Sequence, residues 1–399
     1  MSAGPVTAAT ARSDRPPRPA ALPLGLYVHL PWCVRKCPYC DFNSHALRGE
    51  LPANAYLDAL LADLRFAAPD VTDRTVETIF IGGGTPSLFS PEAIGRLLAA
   101  VDEIVGVAPD AEITLEANPG TLERGRFAGY REHGVNRLSI GVQSFHDTAL
   151  DALGRIHDAA SARKAADAAR DAGFASFNID LMYALPGQTL GQALEDVRIA
   201  VALDPGHISH YQLTLEPGTA FAHRPPPLPD PDASFAIQEA CQALLAEHGY
   251  AQYEISAYAR EGRLCRHNLN YWRFGDYLGI GAGAHGKVTG PDGIERQERI
   301  RHPNAFMGRA GTAGALTGRR RVTPADLPLE FMMNALRLNE PLDPALWEAR
   351  TRLPWSAVSE TVEAAIGQGL LRRAGSRVEK TRRGALFLDD LLTLFLPER

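Results

Sequence analysis

From Leu24 to Leu215, short apolar runs rich in branched residues alternate with longer segments of helical period. The short runs predict strands, and the segments between them predict helices. Because parallel neighbouring strands must be joined by a crossover, this alternation predicts a parallel sheet covered by helices. Six such units are too few to close an eight-stranded barrel, so we expect an α/β fold with a partial (β/α)6 barrel, a doubly wound sheet being the alternative. The predicted strands are residues 25–30, 76–81, 112–117, 136–142, 176–182 and 207–215.

Composition and local signals divide the chain into four parts. Residues 1–22 are small, rich in proline and dotted with arginine, which predicts a disordered tail. Residues 23–216 form the predicted barrel, and residues 217–310 extend it, with a helix over 233–247. Residues 320–399 predict a smaller, mainly helical, winged-helix-like unit whose hairpin spans residues 370–380. Within the barrel, Ser90 and Pro91 predict one helix start, Asp158 predicts another, and Gly173 predicts where that helix ends.

The composition excludes several classes of protein. Lys and Arg total 41 against 47 Asp and Glu, so the net charge of −6 disfavours a nucleic-acid partner. No apolar run reaches the ~18–20 residues that a membrane span needs, and 5 cysteines in 399 residues do not suit a secreted disulfide scaffold. The amino-terminal residues lack an apolar signal segment, and their prolines oppose the amphipathic helix of a transit peptide. We therefore expect a cytoplasmic protein.

Three of the five cysteines lie within eight residues, directly after the first predicted strand. Cys33, Cys37 and Cys40 stand in the segment CVRKCPYC, and thiolates on one short loop can bind one soft metal centre. A structural zinc site needs four ligands, whereas Cys241 and Cys265 are isolated and distant in sequence. Three thiolates would instead leave one iron of a four-iron cluster open to another ligand. Zinc with a distant fourth ligand and a redox disulfide are the alternatives.

Polar and glycine residues follow the predicted strands at the end where barrel enzymes build their active sites. Glycines there let a ligand approach the backbone closely, and a carboxylate can accept hydrogen bonds from hydroxyl or ammonium groups. Each residue alone would equally suit an ordinary loop, but their shared position favours one site. The candidates are residues 82–86, Glu116, Asn118, residues 141–145, Arg155, His157, Asn178, Asp180, Tyr183 and residues 185–187.

The CxxxCxxC loop after an opening strand resembles that of the radical S-adenosylmethionine (SAM) superfamily. The resemblance implies a partial barrel with a [4Fe–4S] cluster on Cys33, Cys37 and Cys40, and SAM bound to the open iron through its amino and carboxylate groups. It also implies that an electron from the cluster can cleave SAM to a 5′-deoxyadenosyl radical.

Four further motifs narrow the resemblance to the oxygen-independent coproporphyrinogen III oxidases, over most of the chain from about residue 24. They are YVHLPWC at residues 27–33, GGGTP at 82–86, GVQSF at 141–145 and NIDLMY at 178–183. The alternation of side chains along a strand agrees in part with this resemblance, because it places Tyr27 and His29 on the same face of the first strand. By this resemblance, the SAM-contacting positions are Tyr27, Tyr39, Gly83, Gly84, Thr85, Glu116, Gln143, Arg155 and Asp180.

One position departs from the oxidases. They carry a fourth cysteine two residues beyond the third, where this chain has Phe42. A phenylalanine cannot do the chemistry of a thiol, so the sequence does not predict decarboxylation of a porphyrinogen. The segment CDFNSH, residues 40–45, instead resembles the haem-chaperone branch of the family, HemW.

The segment HNLNYW, residues 267–272, resembles the HNxxYW signature that this branch associates with haem binding. The imidazole of His267 can ligate haem iron, and Tyr271 and Trp272 offer flat apolar surfaces. Without the resemblance, these residues would more simply be a hydrogen-bonded core histidine and packed aromatic rings. Cys265 is a second candidate ligand, although such cysteines are more often just buried.

The sequence therefore predicts a haem chaperone with a [4Fe–4S] cluster and SAM as cofactors. Its partners would be haem and an apo-haem protein that accepts it, for which a membrane protein is one option. The alternatives are an oxygen-independent coproporphyrinogen III oxidase and a radical SAM enzyme with an unrelated substrate. A homodimer is left open, because no residue argues for or against it.

Basic residues surround the predicted carboxy-terminal hairpin. A solvated charged surface is the simplest interpretation, and a contact with DNA, an anionic membrane or an acidic partner is the alternative. Docking of this kind would place the protein at the membrane surface. The cluster consists of Arg372, Arg373, Arg377, Lys380, Arg382 and Arg383.

Overall fold

The computed structural model describes residues 22–120 and 124–397, so the predicted tail lies outside the described residues except for Leu22. No helix in this part of the chain is long and apolar enough to cross a membrane. The strands are β1 (Leu24–Leu30), β2 (Trp32–Cys33), β3 (His45–Ala46), β4 (Val76–Gly83), β5 (Val107–Ala117), β6 (Arg137–Gln143), β7 (Phe177–Tyr183), β8 (Gly206–Gln212), β9 (Ala251–Glu254), β10 (Ala257–Ala259), β11 (Asp276–Ile280), β12 (His285–Gly290), β13 (Gly293–Arg299), β14 (Leu316–Arg321), β15 (Leu371–Ala374) and β16 (Arg377–Lys380).

In the described part of the chain, twelve strands form one sheet, in the order β14-β13-β12-β11-β1-β4-β5-β6-β7-β8-β10-β9. The six strands from β1 and β4 through β8 are successive neighbours and pair in parallel, which confirms the predicted parallel strands. Their order follows the sequence without the reversal that defines a doubly wound sheet. The chain therefore has the predicted partial (β/α)6 barrel, and the carboxyl ends of its strands meet at one rim. The last strand ends at Gln212 instead of residue 215.

The sheet continues beyond residue 250 on both edges, which the sequence analysis did not predict. β11 pairs in parallel with β1, and β12 to β14 follow as antiparallel neighbours. Asp276, at the start of β11, accepts hydrogen bonds from Arg74 at 2.8 Å and from Lys287 at 2.9 Å. Burial raises the pKa of Asp276, but these two cations outweigh it and hold the pKa at about 2. The ionised carboxylate thus fastens the added strands to the barrel.

The helices of the barrel begin at the predicted signals. Ser90 accepts a hydrogen bond from the Ala93 N–H, and Asp158 accepts one from the Ser161 N–H. Gly173 follows the second of these helices with φ of +80°, a conformation that favours glycine. The described helices are Ala53–Ala67, Pro91–Val105, Phe127–Glu132, Asp147–Ala152, Ala159–Asp171, Leu190–Ala202, Ala220–His223, Pro231–Glu247, Arg266–Trp272, Pro303–Met307, Leu327–Ala335, Pro344–Thr351, Ser356–Gly367, Arg382–Leu386 and Leu388–Thr393.

Within the described residues, two main hydrophobic cores and a small third cluster around Leu153 and Leu185 support this architecture. The larger lies in the barrel and includes Leu26 of β1 and Ile79 of β4. The smaller is built mainly by the carboxy-terminal helices and includes Phe331 and Trp347. β15 and β16 form the predicted hairpin, and Gly375 turns it with φ of +64°.

Candidate cofactor and ligand sites

A cavity of about 300 Å³ opens at the carboxyl ends of the parallel strands. Its wall consists of the cysteine loop that follows β1 and of residues at the ends of β4 to β8. Because parallel strands deliver their last residues to one rim, side chains that are distant in sequence meet here. The predicted site residues that line this first cavity are Cys33, Cys37, Tyr39, Cys40, Gly83, Gly84, Thr85, Glu116, Gln143, Arg155 and Asp180.

The cysteine loop brings three free, half-buried thiols to the first cavity. The Cys40 N–H donates to the Cys37 carbonyl at 3.2 Å, which closes a turn between these two residues. Burial raises the pKa of Cys33 to about 11. Within residues 22–120 and 124–397, no group of three or more His, Cys, Asp or Glu side chains could hold a single metal ion. Thiolates are the usual ligands of iron–sulfur clusters, so the donor chemistry of the loop fits such a cluster.

The glycine run at the end of β4 packs against the cysteine loop with no room for side chains. A Cβ on Gly84 would lie 2.6 Å from the Trp32 carbonyl oxygen, and Gly83 has φ of +122°. The Gly84 N–H donates to the Leu30 carbonyl at 2.8 Å, and the Thr85 N–H donates to the Trp32 carbonyl at 2.8 Å. The wall of the cavity is therefore bare backbone at this point, which a ligand can approach closely.

This packing makes Gly84→Ala a destabilising substitution. The added Cβ would overlap backbone atoms that cannot rotate away, so we expect the free energy of unfolding to fall by about 1–3 kcal/mol. Gly367→Ala is the matched control, because a Cβ on this last residue of a helix meets no atom within 4 Å. It should change stability by less than about 1 kcal/mol. Urea unfolding followed by circular dichroism measures both, and equal effects would contradict the packing argument.

Two half-buried carboxylates lie at the ends of β5 and β7. Glu116 accepts a hydrogen bond from the Gly83 N–H at 3.0 Å. Asp180 accepts hydrogen bonds from Ser139 at 3.2 Å and from Asn178 at 2.7 Å. Burial, followed by repulsion from Asp180, raises the pKa of Glu116 to about 8, and burial also raises the pKa of Asp180. A cationic ligand group in this cavity would favour the ionised form of both carboxylates.

Arg155 connects the cysteine loop to two strand ends. Its guanidinium donates to the Gly141 carbonyl at 2.5 Å and to Asn118 Oδ1 at 2.8 Å. Its Nη1 lies 3.8 Å from Cys37 Sγ. Asn118 in turn donates from Nδ2 to Thr85 Oγ1 at 3.1 Å. Arg155 and Asn118 thus connect Thr85 and the Gly141 carbonyl through hydrogen bonds, and they place a cation beside the Cys37 thiol.

A second cavity, of about 550 Å³, adjoins the first. Tyr271 of the HNLNYW segment lines it, whereas the ring of Trp272 packs beneath the Arg337 guanidinium at 4.4 Å. Phe42, which replaces the fourth cysteine of the oxidases, is 61% exposed. The residues that line both cavities are Phe42, Gly83 and Glu116.

Tyr27 lines the second cavity, and the lining of the first cavity does not include it. Tyr27 of β1 is paired with Phe80 of β4, and two residues further along the strands His29 is paired with Gly82. The Tyr27 hydroxyl lies 2.9 Å from His29 Nδ1, and both residues line the second cavity. The prediction that they share one face is confirmed, but strand alternation does not give the depth of a side chain in the barrel.

His267 lines the second cavity from the helix Arg266–Trp272 and is only 1% exposed. Its ring packs against Phe80 and Tyr271, with centroid distances of 5.3 and 4.8 Å. Nδ1 lies 2.9 Å from Thr78 Oγ1, while Nε2 is buried with no hydrogen-bond partner among the described residues. Burial lowers the pKa of His267 to about 3, so the imidazole is neutral near pH 7. A neutral imidazole can ligate iron through Nε2 when Nδ1 carries the proton.

The helix that carries His267 is fastened at both ends. The Glu112 carboxylate of β5 accepts the His267 N–H at 3.0 Å, and Cys265 Sγ lies 3.6 Å from the same carboxylate. At the other end, Asn270 Nδ2 donates to the Asp276 carbonyl at 2.8 Å. Cys265 is buried beside Glu112 and is not among the residues that line the second cavity, so the structure does not bring it to the ligand space.

The basic cluster around the carboxy-terminal hairpin is interleaved with acids. Lys380 donates to the Leu336 carbonyl, and burial lowers the pKa of its ammonium to about 8. Paired charges attract an anionic surface less than a uniformly basic patch does. The ion pairs are Arg372–Glu379, Arg373–Glu363, Arg377–Asp343 and Arg382–Glu239.

Comparisons with known proteins agree with this geometry. The Radical SAM superfamily profile matches residues 27–200, and the HemN C-terminal domain profile matches residues 322–387. The protein named Heme chaperone HemW from Escherichia coli (strain K12) is 53% identical over 377 residues, which cover 94% of this chain and 99% of that protein. This chain belongs to the HemW family.

More distant HemW relatives and a solved structure extend the similarity. Heme chaperone HemW of Mycobacterium tuberculosis H37Rv is 36% identical over 381 residues, covering 94% of this chain and 95% of that protein. The Bos taurus protein named Radical S-adenosyl methionine domain-containing protein 1, mitochondrial, is 36% identical over 394 residues, covering 95% and 89%. Coproporphyrinogen III oxidase (HemN) from Escherichia coli superposes with a TM-score of 0.80 at 26% identity, covering 95% and 91%. These similarities confirm the predicted fold class.

Several residues that line the two cavities were not predicted from the sequence. Tyr211 of β8 lines the first cavity, and its hydroxyl donates to Gln143 Oε1 at 2.8 Å. Gln143 has φ of +70° at the end of β6, which is uncommon for a non-glycine residue and turns its amide towards Tyr211. Phe80 and Arg301 line the second cavity. Alternation along β4 could have placed Phe80 on the inner face with Gly82, but no sequence signal marked Arg301.

Proposed function

We propose that this HemW-family chain is a haem chaperone that binds haem in the second cavity and delivers it to haem proteins such as membrane cytochromes. The observation that carries the proposal is the buried, unpartnered Nε2 of His267 in an aromatic cavity. The printed name of the Escherichia coli relative supports it, because that protein matches over nearly the whole chain. In this proposal the protein works in the cytoplasm and meets the membrane through its acceptor.

The second cavity suits haem chemically. Tyr27, Phe80 and Tyr271 offer aromatic faces to a flat apolar ring, and burial of such surface favours binding. His267 would ligate the iron through Nε2 while Thr78 holds its Nδ1. Coordination would also satisfy a buried polar atom that otherwise costs free energy.

The first cavity would hold the cofactors that membership of the radical SAM superfamily implies. We propose that Cys33, Cys37 and Cys40 bind the [4Fe–4S] cluster and that SAM occupies the remaining space. Together, the bound cluster and SAM supply one-electron chemistry. Their proposed site lies beside the proposed haem site, because the two cavities share Phe42, Gly83 and Glu116.

The residues of this chain would orient SAM in distinct ways. Gly83, Gly84 and Thr85 would accommodate it on exposed backbone, and the Glu116 and Asp180 carboxylates would accept hydrogen bonds from its hydroxyl and ammonium groups. The proposed set also contains the amide of Gln143, the ring of Tyr39 and the guanidinium of Arg155, which lie at other points of the same wall. Tyr27 also belongs to the proposed SAM-contacting set, but it lines the second cavity and would face SAM from the other side of the wall that the two cavities share.

The second candidate function is oxygen-independent coproporphyrinogen III oxidase activity. The structural similarity to HemN over nearly the whole chain favours it. Phe42 opposes it, because this side chain lies at the shared wall of the cavities and cannot act as a proton donor or metal ligand.

Anaerobic titration with haemin tests the two functions together. The reconstituted protein is expected to bind one haem per chain, seen as a shifted Soret band, and to form no protoporphyrinogen from coproporphyrinogen III in the presence of SAM and a reductant. HemN assayed in parallel is the positive control for turnover. Failure to bind haem, or turnover at a rate comparable to that of HemN, would overturn the proposal. Gel filtration of the same samples would report whether a homodimer forms.

A further inference from the structure

The second cavity has two chemically different ends. Its half-buried or buried lining is rich in rings, which come from Tyr27, Phe80, Tyr271, Tyr277 and His267, and it also contains the charged groups of Glu116 and Arg299. The exposed lining is polar apart from Phe42 and consists of His285, Glu298, Arg301 and Thr317. A ligand that fills this cavity should therefore have an extended apolar part and a polar edge.

The exposed residues form the mouth of the second cavity, and Arg301 is the arginine among them. Its position is fixed by the backbone, because Asn43 Nδ2 donates to the Arg301 carbonyl at 2.8 Å and to the Ala282 carbonyl at 2.8 Å. Asn43 directly follows Phe42, so the same hydrogen bonds hold both sides of the mouth together. The Arg301 guanidinium makes no ion pair or hydrogen bond with the part of the chain that the structure describes.

Other arginines of this edge of the sheet are already paired. Glu298, the acid at the mouth, lies 4.0 Å from His285. Arg299, two residues before Arg301, pairs with Asp63 at 3.3 Å and is buried. Arg301 thus differs from these neighbours because it is exposed and has no carboxylate partner among the described residues, whereas Arg299, which also lines the cavity and keeps Nη2 without a hydrogen-bond partner, is buried against Asp63. The other paired arginines are Arg296, Arg319 and Arg320, which contact Glu330 or Glu295.

We propose that Arg301 recognises the carboxylate edge of the flat ligand in the second cavity, while the apolar ring lies on the aromatic lining towards His267. This inference rests on the proposed haem-binding function and adds the orientation of the ligand to it. Haem carries two propionate carboxylates on one edge of an apolar ring, which matches the two ends of the cavity. The planar guanidinium can bind a carboxylate through two parallel hydrogen bonds, which a lysine cannot do.

The test compares haemin with haemin dimethyl ester, which keeps the ring and the iron but lacks the carboxylate charges. Titrations in one detergent-containing buffer give the dissociation constants of the unaltered protein, Arg301→Ala, Arg301→Lys and the control Arg309→Ala. Arg309 is also exposed but lines neither cavity. We expect the unaltered protein to bind the ester about tenfold more weakly than haemin. Arg301→Ala should lose about the same factor for haemin and nothing further for the ester, with Arg301→Lys intermediate.

The outcomes distinguish this inference about Arg301 from the proposed haem-binding function on which it rests. Unchanged haemin affinity in Arg301→Ala, or equal losses for haemin and ester, would overturn the inference and leave the haem-binding function in place. A loss in Arg309→Ala equal to that in Arg301→Ala would overturn it as well, because a general charge effect would then explain the result. No binding of haemin by the unaltered protein would overturn both.

Discussion

Replacement of Cys33, Cys37 or Cys40 by alanine is expected to leave the purified protein without an iron–sulfur cluster. Each substitution removes one of the three thiols that the loop directs to the first cavity. Within the described residues no other cysteine lines this cavity, since Cys241 and Cys265 are buried elsewhere. Iron and acid-labile sulfide, measured after anaerobic reconstitution, should fall from about four per chain to near zero.

Cys241→Ala is the control for the cysteine series. Cys241 is buried in the helix Pro231–Glu247, and its removal costs packing without touching the loop. This variant should therefore keep the full iron and sulfide content of the unaltered chain. Equal loss of cluster in Cys241→Ala would show that the three-thiol assignment is wrong. Retention of cluster in any one of the three loop variants would contradict it too.

His267→Ala is expected to weaken haem binding by at least about tenfold, which corresponds to about 1.4 kcal/mol, and to shift the Soret band. The substitution removes the proposed iron ligand and leaves a space between Phe80 and Tyr271. Because the imidazole is neutral near pH 7, its ligation should not change between pH 6 and pH 8. Absorbance titration with haemin measures the affinity and the spectrum at both pH values.

Added imidazole distinguishes a lost ligand from a damaged fold. Free imidazole should enter the space left in His267→Ala and restore the Soret band of the unaltered protein. His248→Ala, which changes an exposed histidine at the end of the helix Pro231–Glu247, should behave as the unaltered protein does. A Soret band and affinity that are unchanged in His267→Ala would remove His267 from the haem site.

The barrel could be predicted from sequence because its strands carry a strong local signal. Along β7, the apolar residues Phe177, Ile179 and Leu181 alternate with polar ones and pack in the larger core, which is the pattern expected of a strand with one buried apolar face. β11 to β14 escaped prediction because they lie in a stretch rich in glycine and polar residues. Gly279 shows the reason: a Cβ there would lie 1.8 Å from the His285 carbonyl oxygen, so close backbone packing decides its identity. Such contacts are invisible before the partner strand is known.

The strand pattern was enough to predict the first cavity, whereas His267 and Tyr271 of the second cavity were indicated only by the family resemblance. Cys33 follows the first predicted strand and Glu116 lies at the end of the third, and the geometry of a parallel barrel brings such residues to one rim. The second cavity is assembled from β1, β4, the helix Arg266–Trp272 and the end of β13, which have no common pattern in the sequence. Tyr27 illustrates the limit, because alternation gave its face but only the register with Phe80 shows how deep it lies.

The attachment of the helix Arg266–Trp272 at both ends has a consequence for how a ligand would enter and leave the second cavity. Glu112 ties its first turn to the barrel, and Asn270 ties its last turn to the start of β11. Because hydrogen bonds hold this helix at both ends, we do not expect it to move aside. Haem bound as proposed would then enter and leave past Phe42 and Arg301, and an acceptor protein docked on this side of the cavity would prevent loading during transfer.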